Sequence, residues 1–308
     1  MRRVVPAMRT LNPEIQLDIA SCSGKAATIE HPLGEVFDDY TDALRRSRAE
    51  LVYISLHNSA HYEWALKSIQ SGRHVVVDKP AFLTLNETER AVELADKRRR
   101  CLVEATAFEY HYQFSQIKTF LDTYGPLIFV SAQFNIPLLP LDNFRNHRYL
   151  GGGCLADMGP YAAAVVRCFG SGECIHVKAI PGKRHPETGV DLGFSVLAGF
   201  TDGLRIGGDF GFGGEYVNRI LLLAKGGTLT IERIFSPPPD YPPEWQTKIG
   251  NTSNLRVLKA DDAFKSFFVA VELAIETGAH GVFARNLSAD AKFRHILGLN
   301  IVQKQYAE

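Results

Sequence analysis

The chain has 308 residues, and its 34 lysines and arginines are balanced by 34 aspartates and glutamates. A formal net charge of zero gives no electrostatic reason to expect a nucleic acid or an anionic membrane as a partner. The length suits two domains rather than one core, and a composition that is 45% hydrophobic and 22% charged is that of an ordinary globular protein.

The cysteines and the apolar runs point to a cytoplasmic location. The five cysteines are odd in number and lack the spacing of a zinc or redox motif, so reduced thiols are expected. No apolar run approaches the ~20 residues that a membrane span needs. The first residues include Arg2 and Arg3 but no long apolar stretch, so they do not predict a signal peptide.

Over residues 1–110, short β-branched runs alternate with helical patterns, which is typical of βαβ units and a parallel sheet. Gly72 stands where a helix stop belongs, and Asn86 is the expected cap of the helix after it. The predicted strands are 16–21, 51–56, 74–77 and 102–105, and the predicted helices are 40–46, 59–71 and 86–98. This pattern predicts a Rossmann-type, dinucleotide-binding domain over 1–110.

Residues 111–308 have a different pattern. A predicted helix at 111–124 leads into strands that are joined by glycine-containing turns, as in an antiparallel sheet. The proline-rich run 236–243 predicts a rigid surface loop. The strands are expected at 128–135, 175–179, 193–200, 203–210, 218–224 and 227–231, and closing helices at 263–277 and 289–305. The prediction is an α/β protein whose second domain is α+β, with an open, largely antiparallel sheet.

A Rossmann-type domain begins with a strand and a glycine-rich turn, and neither precedes the strand at 16–21. Instead, residues 1–9 have the pattern of the body of the first helix. Either the true start lies upstream or the chain has lost its first strand. Losing a strand near the centre of the sheet would leave two unpaired neighbours, so the first explanation is expected.

Two motifs follow at characteristic positions: Asp78-Lys79-Pro80 after a strand, and a glycine run 151–153 that leads to Asp157 and Tyr161. Together with 53–61 and Gly72-Arg73-His74-Val75, their order and spacing resemble the glucose–fructose oxidoreductase, inositol dehydrogenase and MocA (Gfo/Idh/MocA) family over essentially the whole chain. Three departures stand out: Asp78 replaces the family's Glu, His57 a frequent Pro, and Glu109 a frequent Arg.

The resemblance implies a nicotinamide-dependent oxidoreductase acting on sugars and other polyols. In it, Lys79 and Tyr161 carry proton transfer, and Asp157 supports them. A lysine or a tyrosine titrates near pH 10. We therefore expect burial or a neighbouring cation to lower the pKa of Lys79, and the Lys79 cation to lower that of Tyr161. Asp157 and Tyr161 are spaced i, i+4, so they share one face if 153–167 is helical.

Cofactor contacts are expected at the carboxyl ends of the parallel strands. No Asp or Glu stands at the tip of the strand 16–21, where NAD would need one. The hydroxyls and the lysine found there suit a 2′-phosphate, so NADP is expected in preference to NAD. The predicted cofactor-binding residues are Ser21, Ser23, Lys25, Leu56, Asn58, His61, Asp78 and Lys79.

Substrate contacts are expected from Lys79, Arg145, Asp157 and Tyr161. Arg145 and Arg148 can hold a phosphate if the substrate is a nucleotide sugar. The stretch 143–145 together with 157–161 is most similar to family members that reduce keto groups of nucleotide-linked deoxysugars. His111, His147 and His185 lack the spacing of metal ligands, so no metal is expected.

Two alternatives stay open. The chain can be a family member that oxidises a non-sugar diol, such as an aromatic dihydrodiol. It can also be a cofactor-free binding or regulatory homologue, because the glycine-rich loop is absent. In either case the resemblance implies a homodimer or homotetramer formed through the open sheet of the second domain, with residues 211–216 at the interface.

Overall fold

The computed structural model describes residues 3–23 and 34–305, with side chains described as far as Ile301. The helices are α1 Val4–Leu11, α2 Tyr40–Arg46, α3 His61–Gln70, α4 Leu85–Arg98, α5 Gln113–Tyr124, α6 Cys154–Phe169, α7 Ala263–Thr277 and α8 Gly281–Gln305. The strands are β1 Ile19–Ala20, β2 Val36–Phe37, β3 Leu51–Ile54, β4 His74–Val77, β5 Leu102–Glu104, β6 Leu127–Ile136, β7 Cys174–Pro181, β8 Gly193–Phe200, β9 Arg205–Phe212, β10 Val217–Ala224, β11 Gly227–Glu232, β12 Glu244–Ile249 and β13 Thr252–Val257.

The N-terminal half contains a parallel sheet of order β3-β4-β5, covered by helices on both faces. Successive residues of a strand point to opposite faces, so Val75 and Val77 pack with α3 and α4. Val76 points the other way, to a cluster that includes Val4 of α1 and Phe267 of α7. Helix α7, late in the chain, therefore completes the core of the first half.

Strands β1 and β2 form a separate parallel pair, with Ile19 opposite Val36. Within the described residues, no ladder joins this pair to β3, β4 and β5. Asp18 links the segment before β1 to its neighbours: Ser47 Oγ, at the end of α2, donates to Asp18 Oδ2 at 2.6 Å, and the Glu35 amide donates to Asp18 Oδ1 at 2.9 Å.

The C-terminal half is built on an eight-stranded sheet of order β13-β12-β11-β10-β6-β9-β8-β7. All neighbouring pairs are antiparallel except β6 and β9, which are parallel. Val130, Ala132 and Phe134 of β6 face a buried cluster that includes small residues of α6. The opposite face carries half-buried and exposed side chains, among them Leu197. The predicted fold class is therefore confirmed.

The structure corrects several predicted element bounds. Thr84, not Asn86, caps α4. Its side chain accepts a hydrogen bond from the Glu87 amide, and the Glu87 carboxylate accepts one from the Thr84 amide. Strands β2, β12 and β13 were not predicted, and α8 begins at Gly281 rather than 289. In the ranges 3–23 and 34–305, none of the helices combines the length and apolar character needed to cross a bilayer.

Candidate active site

Lys79 lies in the turn that follows β4, at the carboxyl edge of the parallel sheet. Tyr53 donates a hydrogen bond from its hydroxyl to the Asp78 carboxylate, and Ser55 Oγ donates to the same group at 2.6 Å. These bonds fix the turn to β3. A cis peptide bond joins Lys79 to Pro80. The lysine side chain points toward α6.

The start of α6 is fixed by close backbone packing. Asn58 Nδ2 donates to the Gly151 carbonyl at 2.9 Å, which ties the end of β3 to the glycine run. Gly153 has φ +113°, and a Cβ there would lie 2.3 Å from Asp191 Oδ1. Asp191 Oδ2 in turn accepts the Leu155 amide at 2.5 Å. Only glycine fits at position 153. Asp191, which no sequence motif indicated, stabilises the start of α6.

Helix α6 places Asp157 at the centre of a buried charge cluster. Lys79 Nζ lies 2.7 Å from Asp157 Oδ1 and 2.8 Å from the Asp157 carbonyl oxygen. Arg145 Nε lies 2.8 Å from the same Oδ1. The Asp157 side chain is only 5% exposed, and that of Lys79 is 16% exposed. Two cations thus contact one carboxylate, which leaves an excess of positive charge in the cluster.

Tyr161 lies one helical turn after Asp157 on the same face of α6, as the i, i+4 spacing predicts. Lys79 Nζ is 4.9 Å from the centre of its ring. The ring is held by three aromatic neighbours, whose centres lie 5.7, 5.0 and 5.4 Å away: Phe108, Phe134 and Phe235. This wall comes from three distant parts of the chain, and no sequence pattern indicated it.

The charges in the cluster set the protonation states. Burial alone would lower the pKa of Lys79, but Asp157 and Tyr161 outweigh it and raise that pKa. Burial alone would raise the pKa of Asp157, but Lys79 and Arg145 hold it below its usual value. Burial raises the pKa of Tyr161, although Lys79 opposes this. The expectation of lowered pKa values for Lys79 and Tyr161 is therefore wrong, and the geometry favours an ammonium beside a protonated phenol.

Of the residues expected around the cofactor, those that the structure describes follow β1, β3 and β4, and two of them, Asn58 and His61, are buried. His61 has no exposed surface, and its ring nitrogens lie 2.8 Å from the Pro80 carbonyl and 3.0 Å from the Leu56 carbonyl. It supports the turn that carries Lys79, and both ring nitrogens are occupied by these carbonyls rather than directed at the expected cofactor site. Ser21 and Ser23 follow β1, with their hydroxyl oxygens 3.1 Å apart. Lys25 lies outside the described residues.

Glu109, which stands where many family members have Arg, does not reach the Asp157 cluster. It binds Arg167 through two hydrogen bonds of 2.7 and 3.0 Å, and Arg167 binds Asp290 of α8 at 2.9 and 3.0 Å. All three side chains are at most 16% exposed. A substrate contact through Glu109 is therefore excluded in this arrangement, and the triad fixes the end of α6 to both halves of the molecule.

The Arg167 triad predicts a pH-dependent stability. Burial, with Glu104 and Glu109 nearby, raises the pKa of Asp290 from 3.8 to about 7, although Arg167 opposes the shift. Because the folded state holds this proton more tightly, stability is lost as the pH rises through 7. Between pH 5 and pH 8 we expect this group to lower the free energy of unfolding by on the order of 1–3 kcal/mol.

Urea midpoints at these two pH values measure the effect. Asp290→Asn removes the titration and is expected to flatten the dependence, whereas Asp96→Asn, at an exposed carboxylate of α4, is expected to leave it unchanged. Equal pH dependence in wild type and Asp290→Asn would contradict the assignment.

The fold and the site define a two-domain oxidoreductase of the kind that moves hydride and proton at a carbon–oxygen bond. The family models agree: residues 15–106 match the Gfo/Idh/MocA oxidoreductase family with its NAD-binding Rossmann fold, and residues 114–230 match the Gfo/Idh/MocA C-terminal domain. The chain belongs to the Gfo/Idh/MocA family.

Two relatives share one enzyme name. The chain is 28% identical to the dTDP-3,4-didehydro-2,6-dideoxy-alpha-D-glucose 3-reductase of Streptomyces violaceoruber, over 91% of this chain and 83% of that one. It is 32% identical to the enzyme of that name from Saccharopolyspora spinosa, over 68% and 62%. Among solved structures, a 3-ketoreductase from Actinomadura kijaniata in complex with NADP and TDP-benzene superposes with a TM-score of 0.91 at 26% identity, covering 97% of this chain and 94% of that one.

Proposed function

We propose that this chain is an NADP(H)-dependent reductase that transfers a hydride to the keto group of a nucleotide-linked deoxysugar. The observation that carries the proposal is the Lys79–Asp157–Arg145 cluster, which directs an ammonium and a protonated phenol, Tyr161, to the edge of the parallel sheet. The relatives named above act on dTDP-linked keto-deoxysugars, and one of them is solved with NADP.

The strand ends fit a nicotinamide dinucleotide in two places. At β3 and β4, the stretch 56–58 and the turn of Asp78 and Lys79 would border the nicotinamide. At β1, the exposed hydroxyls of Ser21 and Ser23 suit an adenosine ribose that carries a 2′-phosphate, and Lys25 adds charge in the sequence there. The glycine-rich turn for the pyrophosphate is not among these 308 residues. When bound, NADPH supplies the hydride.

The protein's own groups handle the oxygen of the ketone. As negative charge develops on that oxygen, the Lys79 ammonium stabilises it, and Tyr161 donates its phenolic proton. The phenolate left behind is stabilised by the same ammonium. Asp157 keeps Lys79 charged and oriented, and the part of the Arg145 guanidinium not bound to Asp157 can contact a substrate phosphate.

We infer further that the protein is a homodimer or homotetramer that associates through the open face of the eight-stranded sheet. Supporting features are the exposed apolar side chains on this face, among them Ile180 and Leu197, and a net charge of zero that gives little repulsion between copies. Sedimentation measures this directly. A protein that sediments as a strict monomer at micromolar concentration would contradict this inference.

Titration calorimetry with NADPH and NADH, followed by turnover of a dTDP-linked keto-deoxysugar, tests the proposed function. The titration uses this chain and a version extended upstream in its reading frame. We expect tighter binding of NADPH than of NADH, and reduction of the keto sugar. Two folded proteins that bind neither cofactor would overturn the proposal in favour of the cofactor-free binding protein. Turnover of an aromatic dihydrodiol alone would overturn it in favour of the diol dehydrogenase.

A further inference from the structure

We propose that Tyr216, Arg233 and Tyr241 form the subsite that binds the nucleoside diphosphate part of the substrate. We call these three residues the arginine–tyrosine platform. The inference rests on the proposed function and extends it, because it assigns the subsite to particular side chains outside the Lys79–Asp157 cluster. The ligand class is a nucleoside diphosphate, which offers an aromatic base and two phosphates.

The platform is a guanidinium stacked against two phenol rings. Arg233 Cζ lies 5.1 Å from the ring centre of Tyr216 and 5.4 Å from that of Tyr241. Tyr216 is 40% exposed, and Arg233 is also exposed. In the described part of the chain, Arg233 makes no salt bridge. The guanidinium is therefore held in place by aromatic contacts and not by an ion pair.

A buried asparagine fixes the platform from below. Asn218 is 1% exposed, and its Nδ2 donates to the Tyr216 hydroxyl and to Ser236 Oγ, both at 3.0 Å. Its Oδ1 accepts the Phe235 amide at 2.9 Å, and its carbonyl accepts the Arg233 amide at 2.5 Å. Arg233 has φ +54°, a conformation that costs free energy in a residue with a side chain. Such a conformation persists only where its surroundings impose it, often at ligand sites.

The platform is continuous with the wall behind Tyr161. The Tyr216 ring lies 6.3 Å from that of Phe134, which lies 5.0 Å from that of Tyr161. Tyr216 therefore packs on the core side of the sheet and not on the open face where an interface was expected for 211–216. Phe235, two residues after Arg233, packs on Tyr161 at 5.4 Å. The platform is thus two ring contacts away from the proposed proton donor. In the proposed arrangement, the keto group of the sugar nucleotide lies at Tyr161 and its diphosphate at Arg233.

The chemistry of the platform matches both parts of a nucleoside diphosphate. A guanidinium binds phosphate oxygens through two parallel hydrogen bonds, and stacking on tyrosine holds it in one plane for this purpose. An exposed tyrosine ring can stack on a nucleobase, whose face it resembles in size and polarity. A free sugar or an aromatic diol offers neither a phosphate nor a base, so the platform selects for a nucleotide-linked substrate.

Titration of the NADPH-loaded protein with thymidine diphosphate tests the assignment. Arg233→Met keeps apolar packing between the two rings but removes the charge, and we expect it to raise the Kd for thymidine diphosphate by about tenfold or more. KM for the nucleotide-linked substrate should rise in parallel, with kcat changed by less than about twofold, because the platform does not contact the reacting atoms. Arg233→Lys keeps the charge but loses the planar fork. Its Kd for thymidine diphosphate should lie between those of the wild type and Arg233→Met.

The control is Lys67→Met, which removes a surface cation that stacks on Trp64 at 4.3 Å on α3. We expect it to bind thymidine diphosphate as wild type does, and all variants to bind NADPH equally. An unchanged Kd in Arg233→Met would overturn the platform while leaving the proposed function intact. A wild-type protein that reduces an unlinked keto sugar but does not bind thymidine diphosphate would overturn the nucleotide-linked substrate itself.

Discussion

Lys79→Met is expected to lower kcat for ketone reduction by about 10²–10³-fold, the range observed when one donor to a developing oxyanion is removed. The reason is geometric: Nζ is the cation held by Asp157 beside Tyr161, and methionine has a similar length but no charge. Asp157 keeps its bond to Arg145, so the buried carboxylate stays paired and the fold should persist. Steady-state reduction of a dTDP-linked keto sugar, together with far-ultraviolet circular dichroism, measures both effects.

Lys118→Met is the matched control for this substitution. Lys118 is an exposed lysine of α5, and its replacement should leave turnover unchanged. Lys79→Arg should recover little activity, because a planar guanidinium does not reproduce the compact ammonium between Asp157 and the Tyr161 ring. Wild-type turnover by a folded Lys79→Met protein would show that the proposed mechanism is wrong.

Tyr161→Phe is expected to lower kcat by about 10²–10⁴-fold, as for loss of a general acid. Phenylalanine keeps the ring in its aromatic wall of Phe108, Phe134 and Phe235, so KM should change little. Tyr124→Phe is the control, because Tyr124 is a half-buried tyrosine that packs on Phe120 at the end of α5. A Tyr161→Phe protein with the wild-type kcat would assign the proton to another group.

The pH dependence of the same enzyme gives a second measurement on Tyr161. Burial raises the pKa of Tyr161, so the phenol stays protonated through neutral pH and reduction should be insensitive to pH there. Oxidation of the alcohol needs the phenolate, so its rate should rise as the pH increases from neutral to alkaline. Tyr161→Phe should lose this rise. An oxidation rate that falls with increasing pH would contradict the sign of the shift.

Much of the fold follows from local patterns. The bounds of β4, β8, α2 and α7 agree with prediction. Apolar runs and helical periodicity are local patterns, which neighbouring residues of the sequence show by themselves. The shared face of Asp157 and Tyr161 follows from helix geometry alone. Strand β13 escaped prediction because all six of its residues are exposed at the sheet edge, so no alternation of buried and exposed positions marks it.

The sequence by itself determined the fold class, the family and the residue types of the site, since each depends on short motifs in a fixed order. Only the tertiary structure decided how those residues act. Lys79 and Asp157 are 78 positions apart, and their contact reverses the expected direction of the lysine's pKa shift. Likewise, the folded chain places Glu109 in a buried ion pair with Arg167, and it places the His61 ring nitrogens against backbone carbonyls. The strength of a charge interaction depends on the distance between the two groups and on their burial. The spacing of residues along the sequence gives neither quantity.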